Sequence, residues 1–290
     1  MKCEKDVILR PNVIDYYGLK MKRLGVLALL FCAGLFSCVS QGQEQRFLPV
    51  VRNGKYEQIL KRKAYTLSYN AYYCTANWVF WCLTREHTDG NVQRKGMRFE
   101  EDESINGRRA TYHDYSQSRY DRGHMCPAGD NRWDEQAMRE SFLLSNICPQ
   151  DRGLNAGDWN DLEQKCRAWA RKYGEVMIVC GPVYYKKSEE GGQAQEVQGK
   201  SSEGGGERSG ARRWLKRKIA VPDAFYKCVV RMDGKRSAGL GFIYENNDVK
   251  HSMDHYVRSI DEIEEITGID FFRGMPNEDE IEKKADLREW

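Results

Sequence analysis

A chain of 290 residues with 40% hydrophobic content has room for one large domain or two small ones, each with an ordinary globular core. Its 46 lysines and arginines against 43 acidic residues leave a formal charge of only +3, which excludes recognition of an anionic partner by bulk charge. Any basic binding surface must be local.

The first feature along the chain is an apolar run, Leu24 to Phe36, which follows Met21-Lys22-Arg23 and ends at Ser37-Cys38. A basic start, a short apolar stretch and a small residue at the end have the form of a signal peptide, and the run falls short of the roughly 20 residues of a membrane-spanning helix. Residues 1–20, with scattered charges and Pro11, lack that form, so the natural start is expected at Met21. Leu35-Phe36-Ser37-Cys38 is similar to a lipobox. The expectation is therefore an exported protein, either a periplasmic or outer-membrane lipoprotein held to the membrane through Cys38, or a secreted one. Residues 1–38 would form the signal region, 39–58 a tether, 59–273 the folded domain and 274–290 a charged C-terminal tail.

Beyond the signal region stand Cys74, Cys82, Cys126, Cys148, Cys166, Cys180 and Cys228, an odd set that cannot all pair within one chain. None forms a C-x-x-C, which argues against zinc and thioredoxin-like chemistry, although an oxidising compartment would permit some disulfides. Strands are expected at Tyr65–Tyr69, Trp78–Trp81, Val176–Val179, Lys218–Val221, Phe225–Arg231 and Ala238–Tyr244, most bounded by Gly, Pro, Asn or Asp. Val176–Val179 and Lys218–Val221 read as neighbours in one sheet, separated by a Gly-, Ser- and Gln-rich insert over 186–211 that has almost nothing apolar to bury. Helices are expected at Glu135–Leu144, at Asp158–Tyr173 with Asp158 as its cap, and at Ile260–Thr267, where Ser259 and Glu262 have capping-box spacing. Strands and helices without βαβ alternation indicate an α+β fold around a central antiparallel sheet flanked by helices.

The densest chemistry lies in Tyr120-Asp121-Arg122-Gly123-His124-Met125-Cys126-Pro127. A histidine titrates near neutral pH and can take a proton from water, but a lone histidine is more often structural. His124 with Cys126 offers a metal pair, yet no second pair follows at suitable spacing. Ser145-Asn146-Ile147, Leu154-Asn155 and then Glu163 and Arg167 raise the functional reading. Glu163 and Arg167 share a helix face beside the apolar stripe of Trp159 and Cys166, so both can project toward the end where Asn155 lies. An exposed ion pair is the plain alternative.

Here the sequence resembles the DNA/RNA non-specific endonuclease family of the ββα-metal superfamily. The resemblance rests on Asp121-Arg122-Gly123-His124, Asn131-Arg132-Trp133, Ser145-Asn146-Ile147, Pro149-Gln150, the ordered Asn155, Glu163 and Arg167, and later segments such as Val179-Cys180-Gly181-Pro182 and Val221-Pro222, over about residues 60–273. It implies a ββα-metal active site in an enzyme that hydrolyses DNA and RNA, with Mg²⁺, or Mn²⁺ in its place, as cofactor. By the same resemblance His124 is the general base, Asn155 the metal ligand, and Arg122 and Arg167 offset phosphate charge. Glu163 holds metal-bound water, Asn146 orients the base or the metal site, Asp121 is a local structural partner, and Arg94 contacts substrate phosphate. The insert and Met125-Cys126 depart from the family pattern. Two rivals remain at this stage: an inactive nuclease-fold binding lipoprotein, and a metal phosphodiesterase acting on a small nucleotide or phospholipid.

Overall fold

Strands that are apolar at every position, rather than alternately, are buried on both faces and occupy the middle of a covered sheet. In the computed structural model, which describes residues 44–52, 57–185, 195–196, 212–232 and 237–290, such strands form the centre of the molecule. In chain order the principal strands are β1 (Gln58–Lys61), β2 (Thr66–Asn70), β3 (Thr75–Thr84), β4 (Asp121–His124), β5 (Ile147–Gln150), β6 (Glu175–Val183), β7 (Ala224–Arg231), β8 (Ala238–Glu245) and β9 (Val257–Arg258). Seven of them make one antiparallel sheet in the order β9-β8-β7-β6-β3-β2-β1. The other two, β4 and β5, pair with each other alone.

The principal helices are α1 (Glu135–Ser141), α2 (Arg152–Ala156), α3 (Asp158–Tyr173), α4 (Ile260–Thr267) and α5 (Glu278–Lys283). Three of them, α3, α4 and α5, divide between the two faces of the sheet. On one face Trp81, Ile178, Phe225 and Phe242 pack against Trp159, Leu162, Cys166 and Trp169 of α3. Each large side chain so buried contributes about 1.5–3 kcal/mol. On the other face Phe80, Val179 and Tyr226 pack against Ile260 and Ile263 of α4 and Ile281 of α5. Gly241 of β8 permits that approach, since a Cβ there would lie 2.5 Å from Ile263 Cδ1.

Several sequence expectations need correction. Ile219–Ala220 does not lie beside β6 but pairs with Arg213–Leu215 in a small separate sheet. The neighbours of β6 are β3 and β7, strands of ten and eight residues that can satisfy the backbone of a nine-residue one on both edges. Helix α1 stops at Ser141 rather than Leu144, for Leu144 N–H turns to the Glu100 carbonyl at 2.8 Å. Asp158 is not the cap of α3: Gly157 holds that position, and the Asp158 carboxylate instead accepts from Tyr256 Oη at 2.6 Å. The segment 274–290, expected as a charged tail, carries α5 and returns Trp290 to within 4.8 Å of the Trp169 ring. Its apolar anchors, Ile281 and Trp290, outweigh the charges between them. The insert over 186–211 lies outside the described residues apart from 195–196, and the signal region lies wholly outside them.

The seven cysteines from Cys74 to Cys228 are free thiols, all buried. Among the described residues no helix is long and apolar enough to cross a membrane.

Candidate active site

The Asp121-to-His124 motif is strand β4, paired in register with β5 so that Gly123 faces Cys148 and His124 faces Ile147. The two strands are joined by α1 and turns rather than by a tight hairpin. Glycine at 123 is a steric requirement, because a Cβ there would lie 2.2 Å from Gln150 Oε1 and 2.6 Å from Gln150 Cβ. His124, one residue on, is 8% exposed and packed between Phe142 and Phe99, with ring centroids 5.0 and 5.5 Å away. Its Nε2 is buried and has no hydrogen-bond partner. Burial, and then the nearby Arg94 guanidinium, pull the imidazole down to about 3, so the ring is neutral at pH 7.

The end of β4 is clamped by Asn146. Its Oδ1 accepts from Cys126 N–H, and its Nδ2 donates to the carbonyls of Cys126 and Ser141, all at 2.9 Å. With its amide fully engaged, Asn146 is buried and does not line the cavity.

Opposite the strand pair stands the α2–α3 segment, and between them lies a cavity of about 560 Å³. His124, Arg122 and Arg94 line one side and Asn155, Glu163 and Arg167 the other. Asn155 sits on the short α2, one turn before the long helix that carries Glu163 and Arg167. Its Nδ2 donates to Asp121 Oδ2 at 3.0 Å, which leaves Oδ1 as the amide's remaining polar atom. Arg122 is stacked against Tyr112 and Phe99, its guanidinium carbon 4.7 and 5.2 Å from the ring centres. Arg167 Nη1 donates to Asp130 Oδ1 at 2.8 Å, and the other oxygen of Asp130 accepts from Trp81 Nε1 at 3.1 Å.

Burial pushes the Glu163 carboxyl up to about 7; Lys227 and Arg167 oppose the shift and Asp130 adds to it. Lys227 is 1% exposed, with Nζ 4.3 Å from the Trp159 ring. The sequence reading gives no site role to it or to two residues of the cavity wall, Arg132 and Asn160. Lys227 and Arg132 stand only within segments that carry the family resemblance, and Asn160 carries one available signal, its place one helical turn before Glu163.

The donor set fits a hard divalent cation. One amide oxygen and one carboxylate facing an open cavity are few protein ligands, as suits an ion that keeps several waters. Four arginines around them, Arg94, Arg122, Arg132 and Arg167, suit an anionic ligand.

Comparison with known proteins agrees with this chemistry. A model of the DNA/RNA non-specific endonuclease family matches residues 43–278. Nuclease EXOG, mitochondrial, of Xenopus laevis is 32% identical over 232 residues, covering 77% of this chain and 60% of the relative. Endonuclease G, mitochondrial, of Bos taurus is 31% identical over 227 residues, 76% of this chain and 70% of the relative. The mitochondrial nuclease of Saccharomyces cerevisiae is 31% identical over 238 residues, 77% of this chain and 68% of the relative. The chain thus spans about 60% of the length of the Xenopus laevis protein. A crystal structure of an EndoG/EndoGI complex superposes with a TM-score of 0.63 at 28% identity, covering 76% of this chain and 88% of that one. It has the mixed fold with a large antiparallel sheet that the sequence led us to expect.

These relatives also overturn one expectation. Their names place them in mitochondria, not in a periplasm, an outer membrane or the medium, so the reading of an exported or Cys38-anchored lipoprotein is withdrawn. A match that runs through most of the chain and takes in both walls of the cavity makes the protein a member of the DNA/RNA non-specific endonuclease family.

Proposed function

We propose that the protein is a Mg²⁺-dependent endonuclease that hydrolyses phosphodiester bonds of DNA and RNA with little sequence preference, Mn²⁺ being able to substitute. The observation that carries this reading is His124 Nε2, a neutral, partnerless nitrogen buried at the wall of a cavity that four arginines line. A buried polar atom without a partner is costly unless something the enzyme binds completes it, and a water placed for attack would do so.

In this mechanism Arg94, Arg122 and Arg132 receive the phosphate and hold its charge. The incoming anion offsets the field of Arg94 and so raises the basicity of His124 as water is positioned. His124 Nε2 takes a proton from that water, the water oxygen bonds to phosphorus, and the P–O3′ bond breaks, the departing 3′-oxygen taking a proton from solvent water, to leave 5′-phosphate and 3′-hydroxyl ends. Asn155 would hold the Mg²⁺ through Oδ1, in an orientation fixed by Asp121, and Glu163 would hold its waters. When bound, the ion supplies Lewis-acid withdrawal of charge from the phosphate oxygens. Asn146 keeps the end of the base-bearing strand in place, and Arg167, anchored on Asp130, carries positive charge on the far wall. Contacts to phosphate alone carry no base code, which accounts for tolerance of sequence and sugar. We assign the activity to the unit from Phe47 to Trp290.

The test is digestion of plasmid DNA and of RNA by the full chain, with Mg²⁺ or with EDTA, beside His124→Ala. The parent should digest both polymers only with the metal, and the variant should be slower by about 10²–10⁴-fold with an unchanged circular-dichroism spectrum. Digestion of neither polymer would refute the nuclease reading, and full activity in the variant would refute His124 as base.

A further inference from the structure

On the face of the sheet opposite the nuclease cavity, helices α4 and α5 bring Asp261, Glu264 and Glu282 together. Asp261 and Glu264 are three apart on α4 and share one face of it. Glu282 reaches them from α5. Each of the three places a carboxylate oxygen within 4.8 Å of the other two. Glu264 and Glu282 are each 5% exposed.

Acidic clusters are common, and this one is distinguished by Glu282. Its Oε1 is buried and accepts no hydrogen bond. Around it stand the carboxylates of Glu264, Glu278, Asp261 and Asp270, all of which oppose its charge. The cation that meets the cluster, Arg52, is bound to Glu264 Oε2 at 2.7 Å and to Asp270 at 3.3 Å. Glu264 Oε1 accepts from Phe271 N–H at 2.6 Å, and each of its oxygens keeps a further lone pair. Among the described residues the cluster therefore has oxygen donors only, an unsatisfied buried one among them, and Arg52 as its ion-paired cation.

We infer that Asp261, Glu264 and Glu282 form a second, structural site for a divalent cation of the Ca²⁺ type. Bonds from Ca²⁺ to oxygen run about 2.3–2.6 Å, so any two ligands of one ion stand no more than about 5 Å apart, a condition the three carboxylates meet, and the all-carboxylate donor set suits a hard ion completed by water. The ion would tie α5, and with it the end of the chain, to α4 and the sheet. It would stabilise the fold without taking part in hydrolysis.

The experiment uses the full chain stripped with EDTA and titrated with CaCl₂ alone, read by Tm and by calorimetric binding. Asn155→Ala removes the ligand proposed for the catalytic cation and so isolates this site. Saturating Ca²⁺ should raise Tm by about 2–4 °C in the parent and in Asn155→Ala alike. Glu282→Gln should lose that rise while keeping nuclease activity, and the half-exposed Asp261→Asn should weaken binding without threatening the fold. A rise that persists in Glu282→Gln, or that disappears in Asn155→Ala, overturns the site. So does the absence of any Ca²⁺-dependent rise, which would leave Glu282 as a carboxylic acid sharing its proton with Glu264. The Tm and calorimetric outcomes do not depend on whether the protein digests nucleic acid.

Discussion

Asp121 belongs to the motif that marks the site, yet it does not line the cavity. Its carboxylate receives the Asn155 amide and thereby decides which end of that amide, in the proposed mechanism, is left for a cation. Asp121→Ala should lower the digestion rate about 10–100-fold and move its half-saturation to higher Mg²⁺, whereas Asp121→Asn, which keeps an acceptor oxygen, should retain most of the parent rate. Equal losses in the two variants would show that charge rather than orientation is at stake. At this scale the sequence was most readable where chemistry is local: an acid, a cation, a glycine and a base fall within four residues. Lys227, in the Phe225-Tyr226-Lys227 segment of the family resemblance, gained no role from the sequence for the opposite reason. It lies in Ala224–Arg231, where alternation puts it on the same face as Phe225 and Val229. That a charge on this face would be buried depends on Trp159 and Glu163 arriving from α3, which no pattern within the strand announces.

Among the elements, the turn that carries Asn146 depends on a neighbour outside the site. Asp102, 3% exposed, accepts from Arg62 Nη2 at 2.5 Å, Ser104 Oγ at 2.6 Å and Ser145 Oγ at 2.5 Å. It thus joins the chain after β1 to the segment behind His124. Burial opposes its charge, but the bonds from Ser104, Ser145 and Arg62 hold the carboxyl below its ordinary value. A depressed acid contributes stability that is present above its unfolded value, about 3.9, and is lost as pH falls through the folded one. Asp102→Asn should therefore cost about 3 kcal/mol at pH 7, and the gap to the parent should narrow below about pH 4, as urea unfolding at the two pH values would reveal. A gap of constant size would remove the carboxylate from this role. The helices were legible because periodicity and caps are local: α3 and α4 fall where the apolar spacing and the Ser259 capping box put them. Strand order was not, because the partner of β6 is chosen by length and burial among segments far apart in sequence.

For the whole molecule, a net charge of +3 conceals a strong local field, four arginines around one cavity. Binding of a short duplex by His124→Ala should weaken linearly with salt on a double-logarithmic plot, and Arg132→Ala should reduce the slope by about 0.9 for every sequence tried. An unaltered slope would exclude Arg132 from phosphate contact. The sheet that separates this field from the acidic helices also seals the sulfur chemistry of the chain. Cys126, Cys148, Cys166 and Cys180 lie in the core between the sheet and α3, and Cys228 in the core beneath α4, with burial raising each thiol above its usual range. Thiols held protonated and out of water resist alkylation. They become reactive only when the sheet opens, so the rate at which these five thiols, followed site by site, take up a maleimide is a clock for its global unfolding, already written into the chain without any engineered label.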